Sequence, residues 1–387
     1  MAVTGPARFP HPGADRGGPV DLGAARRILA VRADNIGDVV TTTPALRAIR
    51  ATAPQAQLDL LASPAGWAVA PMIEDLDGVL TVSPSWQQLS GRHPGRAGDS
   101  VAERELLDRL TTARYDVLLV FTSFSQSPWP VAHLGLLAGI GTRVVHSREF
   151  GGVVATHWVT PPPDRTHQVD RALHMLAAIG VPDRGRAPAL RVPPDADEAA
   201  GRLAPPGPFA LLAPGASGAA RRYPAERFGA AAARLATSGL PVLVAGTASE
   251  DELVARVVAA AGHPAVTPVP PAPLTVFAAL LRRAAVAITN NSGGMHIADA
   301  VGTPVAVTYA GTERPAELRP RSVPAALLRR YVTCSPCRQL ECPLGHECLD
   351  VPPAELAAAA HALVPRVAGT PAPPEGERWL RHTTSTP

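Results

Sequence analysis

The residues best suited to chemistry lie in the stretch ITNNSGGMHIADAVGTP. An apolar run, AAVAI, precedes its polar turn and an alanine-rich helical pattern follows, so the turn joins a buried strand to a helix. Glycine lets the backbone approach a ligand closely, and the first amides of a helix are unpaired, which together favour phosphate binding. The residues predicted to bind phosphate are Asn291, Ser292, Gly293, Gly294 and His296. The alternative is that the polar side chains only cap the helix and the glycines only pack tightly.

A carboxylate occupies a comparable place near the start of the chain, in ADNIGDVVTTTPALRAIR. Asp38 follows Gly37 after the first predicted strand, RILAVR, and opens a helix. Such a carboxylate can take a proton from a hydroxyl, which makes Asp38 a candidate general base projecting into a cleft. The alternative is that it only starts the helix. The run from Thr41 to Thr43 is expected on the polar side of that helix.

Two adjacent arginines follow another predicted strand, in LLAPGASGAARRYPAERF. Arg221 and Arg222 lie in a loop before the next helix, and guanidinium groups at a strand's carboxyl end suit a diphosphate. The alternative is a solvated basic turn.

Composition excludes several kinds of site. The 387-residue chain contains 36 basic residues, all of them arginine, so it has neither a Walker A lysine nor a Schiff-base lysine. The net charge of +3 is too small to argue for nucleic acid. No run of about 18 apolar residues predicts a membrane span, and the amino terminus lacks the apolar segment of a signal peptide. We therefore expect a cytoplasmic protein.

Continuous apolar runs alternate with helical patterns along the chain, which is typical of parallel sheets covered on both faces. The predicted strands are 27–32, 58–63, 78–82, 115–121 and 142–147, then 209–214, 241–246, 285–289 and 304–311. Two α/β domains in tandem are expected, with a ligand cleft between the carboxyl ends of their sheets. The predicted organisation is a disordered tail (1–24), a first α/β domain (25–181), a Pro-rich linker (182–207), a second α/β domain (208–367) and a polar tail (368–387). The second domain is expected to end in a helix at 352–367.

Taken together, these stretches resemble glycosyltransferase family 9, the heptosyltransferase family. The resemblance spans roughly residues 27–365 and rests on IGDVVTTTPALRAIR, PGAS…RRYPAERF, AGTASE, TNNSGGMHIADAVGTP and the late CSPC…CP…HECL segment. It implies the GT-B fold, in which two Rossmann-like domains face each other, with the acceptor on the side of the N-terminal domain (25–181) and the nucleotide sugar bound by the C-terminal domain (208–367). It also implies inverting, metal-independent transfer from a nucleotide-diphosphate sugar, commonly ADP-heptose, without a cofactor.

The resemblance also assigns roles to individual residues. Asp38 matches the family's general base, and Arg221 occupies the position of its donor-phosphate residue, usually lysine; Arg222 is close enough to share that role. Tyr223 stands where tryptophan is common. Glu250 in AGTASE matches the acidic residue that holds the ribose. The family's diphosphate turn corresponds to the Asn-Ser-Gly…His sequence described above.

Family members often build lipopolysaccharide or another cell-surface glycan. The resemblance thus implies a glycan or glycolipid acceptor and a monomer that is peripheral at the inner membrane face, with no nucleic-acid partner. Two alternatives remain: a GT-B-like sugar-nucleotide epimerase, and a non-catalytic protein that binds nucleotide sugars.

Two D-x-D triplets and a cysteine cluster are the places in the sequence where a metal site has to be considered. Asp75-Leu76-Asp77 and Asp195-Ala196-Asp197 resemble the motif of metal-dependent transferases, but neither ends a strand, and both are interpreted as surface turns. All four cysteines of the chain fall in one short segment that also contains His346: Cys334, Cys337, Cys342 and Cys348. A structural zinc or iron–sulfur site and reduced thiols in an ordered loop are both compatible with this spacing.

Overall fold

The computed structural model describes residues 15–83, 85–87, 97–123 and 126–365. Within these residues the chain forms two six-stranded sheets, and every strand pairing in them is parallel. The first sheet contains β1 (Arg27–Arg32), β2 (Gln57–Ala62), β3 (Gly78–Thr81), β4 (Val117–Val120), β5 (Thr142–His146) and β6 (His157–Val159). The second contains β7 (Ala210–Ala213), β8 (Val242–Val244), β9 (Val266–Pro268), β10 (Val286–Asn290), β11 (Val305–Thr308) and β12 (Ala325–Leu328).

Both sheets have the same strand order. The first runs β3-β2-β1-β4-β5-β6, and the second, read from β9, runs β9-β8-β7-β10-β11-β12. This is the Rossmann order, in which the chain reverses direction across the sheet between the first and fourth strands and leaves a crevice at their carboxyl ends. The predicted α/β architecture with two Rossmann-like domains is confirmed.

Helices cover the sheets. Those of the first domain are α1 (Ile36–Thr52), α2 (Pro64–Trp67), α3 (Ala97–Ala113), α4 (Trp129–Leu137) and α5 (Gln168–Ala178). Helix α6 (Pro194–Leu203) lies between the two sheets in the sequence and packs against α9. The second domain has α7 (Ala225–Thr237), α8 (Asp251–Ala261), α9 (Leu274–Arg283), α10 (Gly293–Val301), α11 (Pro315–Leu318) and α12 (Pro353–Leu363). None of the helices in the described ranges has the length and apolarity needed to cross a bilayer.

The two domains pack against each other through α1 and α10. Val40 of α1 and Met295 of α10 belong to one buried apolar cluster that extends over both sheets. The starts of these two helices, which carry the predicted chemistry, are therefore held at the junction of the domains.

The predicted boundaries need correction at three places. The tail was expected to extend to residue 24, but Arg16 exchanges backbone hydrogen bonds with Trp158, and Leu22 is buried in the core; residues 1–14 lie outside the described part. The linker contains α6, whose Ala196 and Ala200 are buried. The last helix ends at Leu363 rather than 367, and the predicted tail lies outside the described residues.

The threonine run of α1 was expected on a polar face, but all three side chains are buried. Their hydroxyls bond back to the helix: Thr41 and Thr42 donate to the Asp38 carbonyl, and Thr43 donates to the Val40 carbonyl at 2.8 Å. Pro44 follows and has no N–H to offer that carbonyl, so Thr43 satisfies it instead. These threonines can be buried because their hydroxyls are hydrogen-bonded to carbonyls of the same helix.

Candidate active site

The first helical turns of α1 and α10 meet across the cleft. A Cβ added to Gly37 would overlap Cδ2 of His296, and one added to Gly293 would lie 3.2 Å from Cβ of Ile36. Close approach of the two lobes thus depends on the absence of side chains at these glycines. The structure brings the predicted general base and the turn predicted to bind phosphate together at the cleft between the domains.

Three groups hold the Asp38 side chain in place at this cleft. Arg32 donates to its Oδ1 at 2.8 Å, Ser123 lies 3.4 Å from the same oxygen, and the Asn35 amide donates to Oδ2 at 3.3 Å. The Asp38 side chain remains 19% exposed, so a substrate hydroxyl can still reach it. Asp38 can therefore both start the helix and serve as a general base, because its Oδ2 accepts from the Asn35 amide at the start of α1 while the carboxylate stays accessible.

Arg32 was not predicted as a site residue. It is buried and pairs with both Asp34, at 2.9 Å, and Asp38. Burial alone would lower the pKa of Arg32, but the two carboxylates outweigh it and raise the pKa, so the guanidinium stays charged. The signal that could have found Arg32 was a charged residue at the carboxyl end of a strand with an apolar interior, ILAV.

The amino terminus of α10 is not capped by a side chain. Ser292 occupies the N-cap position, but its hydroxyl donates to the Gly215 carbonyl at 3.2 Å. The Asn291 side chain instead accepts from the Ala310 amide at 3.0 Å and donates to Glu313 at 2.9 Å. Neither side chain therefore caps α10, although the other part of the alternative holds: the glycines do pack tightly, since a Cβ on Gly294 would lie 3.3 Å from Cγ2 of Thr289. Uncapped amides at the start of a helix are the kind of group that binds anions.

Asn290 was also missed, although it holds this turn in place. Its side chain is fully buried, accepts from the Tyr223 amide at 2.9 Å and donates to the Pro214 carbonyl at 2.7 Å. Thr308 donates to it as well, at 2.9 Å. One amide thus ties together the ends of β7, β10 and β11. Tyr223 itself is buried, with its hydroxyl bonded to the Val351 carbonyl, so its role is in packing.

His296 is buried beside Asp38. Burial lowers its pKa to about 4; nearby Asp38 opposes this shift, while His167 and Arg221 add to it. The ring is therefore neutral at pH 7 and can contribute one N–H donor, but not a full positive charge.

The two adjacent arginines point to different partners. Arg221 donates to the Asn291 carbonyl at 3.4 Å and to Ser217 at 3.2 Å, so its guanidinium lies beside the phosphate turn. Arg222 donates through Nε to the Ala216 carbonyl at 2.9 Å and braces the loop. This geometry favours Arg221 over Arg222 as the phosphate ligand.

Glu250 lies against the same loop. Its carboxylate accepts from the Thr247 amide at 2.9 Å, and a Cβ on Gly215 would overlap it. Gly215 thus has the Ser292 hydroxyl and the Glu250 carboxylate as neighbours. The residue predicted to bind the ribose and the turn predicted to bind the phosphate therefore lie on the same side of the cleft.

The D-x-D triplets lie away from this cleft. Asp75 is in a turn, as expected, and Asp77 accepts from the Leu58 amide at 2.8 Å. Asp197 was placed in a turn but lies in the first turn of α6, where it pairs with Arg282 and Arg283. A cavity of about 730 Å³ lined by Arg26 and other polar residues is likewise remote, at the opposite ends of β1 and β4.

The cysteine segment packs against the loops of the donor side. The Ala220 amide donates to the Leu340 carbonyl at 2.9 Å, and the Cys337 amide donates to the Gly311 carbonyl at 3.0 Å. All four thiols are unpaired, and burial together with the neighbouring thiols raises the pKa of Cys348. Within the described ranges, no group of three or more His, Cys, Asp or Glu side chains is arranged to hold a metal ion.

Enlarging Gly37 tests the contact between the lobes. Gly37→Ala forces the helices or the His296 ring apart, and we expect a loss of about 1–3 kcal/mol in the free energy of unfolding, as overpacking gives. Urea denaturation measures it. Gly141→Ala is the matched control, since its nearest neighbour lies 4.0 Å from the added Cβ. Equal stability of the two variants would contradict the contact.

Three buried histidines make stability depend on pH. Burial lowers the pKa of His146 to about 3 and those of His167 and His296 to about 4. Unfolding restores a pKa of about 6.5, so between about pH 6.5 and 4 the unfolded chain binds more protons and stability falls as pH falls. Each histidine contributes up to about 1.4 kcal/mol per pH unit in that window.

Urea denaturation at pH 7 and pH 5 measures this dependence. His167→Gln is expected to reduce the loss between the two pH values by roughly 2 kcal/mol. His133→Gln, at an exposed position, should leave the loss unchanged. An identical pH dependence in wild type and His167→Gln would show that His167 does not titrate in this way.

Comparison with known proteins identifies the family and the fold. The profile of glycosyltransferase family 9 (heptosyltransferase) matches residues 104–347. No curated protein matches the sequence. Among solved structures, the ADP-heptose lps heptosyltransferase II of E. coli is 19% identical with a TM-score of 0.70, over 87% of this chain and 98% of that one.

A family 9 glycosyltransferase from Veillonella parvula is also 19% identical with a TM-score of 0.70, over 89% of this chain and 99% of that one. The E. coli heptosyltransferase WaaC with ADP is 18% identical with a TM-score of 0.60, over 78% and 93% of the two chains. These likenesses establish a shared fold, and the profile covers more than half of the sequence. The chain belongs to glycosyltransferase family 9, the heptosyltransferase family.

Proposed function

We propose that this glycosyltransferase moves a heptose from an ADP-heptose donor to a hydroxyl of a glycan or glycolipid, with inversion and without a metal ion. One observation carries the proposal: Asp38 of the first domain faces the uncapped start of α10 and His296 in the second. A proton acceptor and a diphosphate site thus approach the same space from opposite lobes.

In this reaction Asp38 takes the proton of the acceptor hydroxyl while that oxygen forms a bond to the anomeric carbon. The bond from that carbon to the donor phosphate oxygen breaks, and ADP leaves. A positioned general base contributes about 10²–10⁴-fold to such a step. Placement of the base and of the diphosphate site on opposite lobes supports an in-line displacement, and therefore inversion.

Negative charge develops on the departing diphosphate. Arg221, the first amides of α10 and the neutral His296 ring are proposed to donate to it, and Glu250 to bind the ribose hydroxyls. Donors fixed before the reaction stabilise such charge at little reorganisation cost. Arginine and the helix terminus supply the positive potential that a metal ion supplies in metal-dependent transferases.

The name of the E. coli heptosyltransferase II contains both ADP-heptose and lps, and this name motivates our choice of donor and acceptor class. We further propose a cytoplasmic enzyme that is monomeric and peripheral at the membrane's inner face, with no nucleic-acid partner. The four unpaired thiols are compatible with a reducing compartment. Light scattering tests the monomer, since the structurally similar TibC, 15% identical with a TM-score of 0.53, is dodecameric.

A donor panel tests the reaction. The protein is incubated with ADP-heptose, other ADP-sugars, UDP-sugars and GDP-sugars, and thermal stabilisation and sugar transfer to an extract of cell-surface glycolipids are followed in EDTA. We expect ADP-heptose to give the largest stabilisation and a product of inverted anomeric configuration by NMR. Stabilisation without turnover would favour the non-catalytic alternative, and a retained configuration would contradict the mechanism.

A further inference from the structure

A carboxylate that was not predicted from the sequence lies beside the proposed diphosphate site. Glu313 belongs to the segment YAGTERP, which leaves the carboxyl end of β11. Its Oε1 lies 3.8 Å from Nη1 of Arg221, and the two side chains are 15% and 18% exposed. An acidic side chain therefore faces the same guanidinium that is proposed to bind the phosphates.

Hydrogen bonds hold Glu313 in this position. Its Oε2 accepts from Nδ2 of Asn291 at 2.9 Å and also from the Thr312 hydroxyl. Asn291 is held in turn, because its Oδ1 accepts from the Ala310 amide at 3.0 Å. Since these bonds occupy Oε2, Oε1 is the oxygen that faces Arg221. The carboxylate is thus tied to the turn that precedes α10.

Glu313 offsets part of the positive charge that the phosphates meet. Arg221 supplies that charge, because the His296 ring is neutral at pH 7. Arg222 instead donates to the Ala216 carbonyl. A guanidinium has several N–H donors, so Arg221 can bind a phosphate while it still lies beside Glu313. The bound phosphate and the carboxylate then repel each other in a partly buried site, where charges interact more strongly than in bulk water.

This repulsion differs between substrate and product. In a nucleotide sugar the outer phosphate is esterified, so it lacks the second ionisation of a terminal phosphate, which has a pKa of about 6. Sugar transfer frees that phosphate, and the departing nucleoside diphosphate carries about one more negative charge near pH 8 than the donor's diphosphate does. Arg221 attracts the product more strongly for this reason. A fixed carboxylate beside it opposes that gain.

We propose that Glu313 sets the balance between donor and product: it weakens binding of the departing nucleoside diphosphate more than binding of the intact nucleotide sugar, and so speeds product release. The inference rests on the transfer reaction proposed above. Product release limits kcat in many enzymes, so a residue that weakens product binding raises kcat.

The alternative role for Glu313 is purely structural, and it predicts the opposite sign. If the carboxylate served only to orient Arg221 and Asn291, its removal would disorder the phosphate ligands and weaken the binding of ADP. If it opposes the product by charge, its removal strengthens the binding of ADP. The two roles are therefore separated by the direction of one change in affinity.

Calorimetric titration of Glu313→Gln with ADP and with ADP-heptose near pH 8 measures this change. Glutamine keeps an oxygen that accepts from Asn291 and Thr312 but carries no charge. We expect ADP to bind about tenfold more tightly than in the wild type, and ADP-heptose about threefold more tightly. In steady-state transfer assays kcat and KM should both fall, and ADP should become a stronger inhibitor.

Two control variants separate charge from shape. Glu313→Asp keeps the negative charge, and we expect the ratio of the two affinities to stay within about twofold of the wild type. Glu198→Gln makes the same change at an exposed carboxylate that pairs with Arg202 on α6, and it should leave both affinities unchanged. Thermal unfolding of each variant checks that it is folded.

Three results with Glu313→Gln would overturn the inference: weaker binding of ADP, an equal change for ADP and ADP-heptose, or no change for either. Any of them, found while the wild type still transfers heptose, would refute the role of Glu313 and leave the proposed function intact. If the wild type bound neither ADP nor ADP-heptose and transferred no sugar, the proposed function would fail and the inference with it.

Discussion

Asp38→Asn is expected to reduce kcat of sugar transfer by about 10²–10⁴-fold, the range that a positioned general base contributes. The asparagine side chain has nearly the same shape, so it keeps the start of α1 in place but cannot accept the proton from the attacking hydroxyl. Because Asp38 lies in the first domain and the proposed donor-binding residues lie in the second, we expect the affinity for ADP-heptose to change by less than about threefold, well under 1.4 kcal/mol. Initial rates and calorimetric titration with the donor measure the two quantities.

The matched control is Asp350→Asn, which removes an exposed carboxylate that pairs with Arg227 and has no role in the proposed site. It should keep full activity. If Asp38→Asn retained activity close to that of the control, another group would have to receive the proton and the proposed mechanism would be wrong. If donor binding were lost together with activity, the carboxylate would instead serve in binding.

The fold was largely predictable from the sequence because its central strands are continuous apolar runs buried on both faces. The edge strands β6, β9 and β12 were missed. Two of them have only three residues, and all three contain exposed or half-buried positions, so they do not stand out as apolar runs. Helix α6 was hidden in a Pro-rich segment, where Pro194 begins the helix instead of breaking it.

The site was predictable where one local stretch carries it. The glycine turn before α10 and Asp38 in the first turn of α1 could both be placed from strand–turn–helix patterns, and the structure brings them together, although their roles in catalysis stay predictions. Ser123 and Asn290 could not be assigned, because their importance comes from partners distant in the chain, whereas Arg32 pairs with the nearby Asp34 and Asp38 and was overlooked. Ser123, for example, meets Arg32 across 91 positions. Such contacts depend on the order of strands in the sheet, which a single sequence does not reveal residue by residue.

The adjacent arginines after β7 allow a sharp test of the diphosphate site, because the two side chains have the same charge and different partners. Arg221→Ala is expected to reduce kcat about 10²–10³-fold, the cost of removing one fixed donor from a developing anion. It removes the guanidinium beside the Asn291 carbonyl and Ser217. Arg222→Ala removes only the brace to the Ala216 carbonyl, and we expect a loss within about tenfold.

The affinities of the two variants for ADP show which arginine contacts the diphosphate. Calorimetric titration should show that Arg221→Ala weakens ADP binding more than Arg222→Ala does, because a guanidinium pairs with phosphate oxygens by charge-assisted hydrogen bonds. Arg221→Gln, which can still donate one neutral hydrogen bond, should fall between Arg221→Ala and the wild type. If Arg222→Ala proved the more damaging variant, the phosphate ligand would be Arg222 and the loop would have to rotate on binding the donor. If neither substitution lowered kcat, the amides of α10 would have to carry the leaving-group charge by themselves.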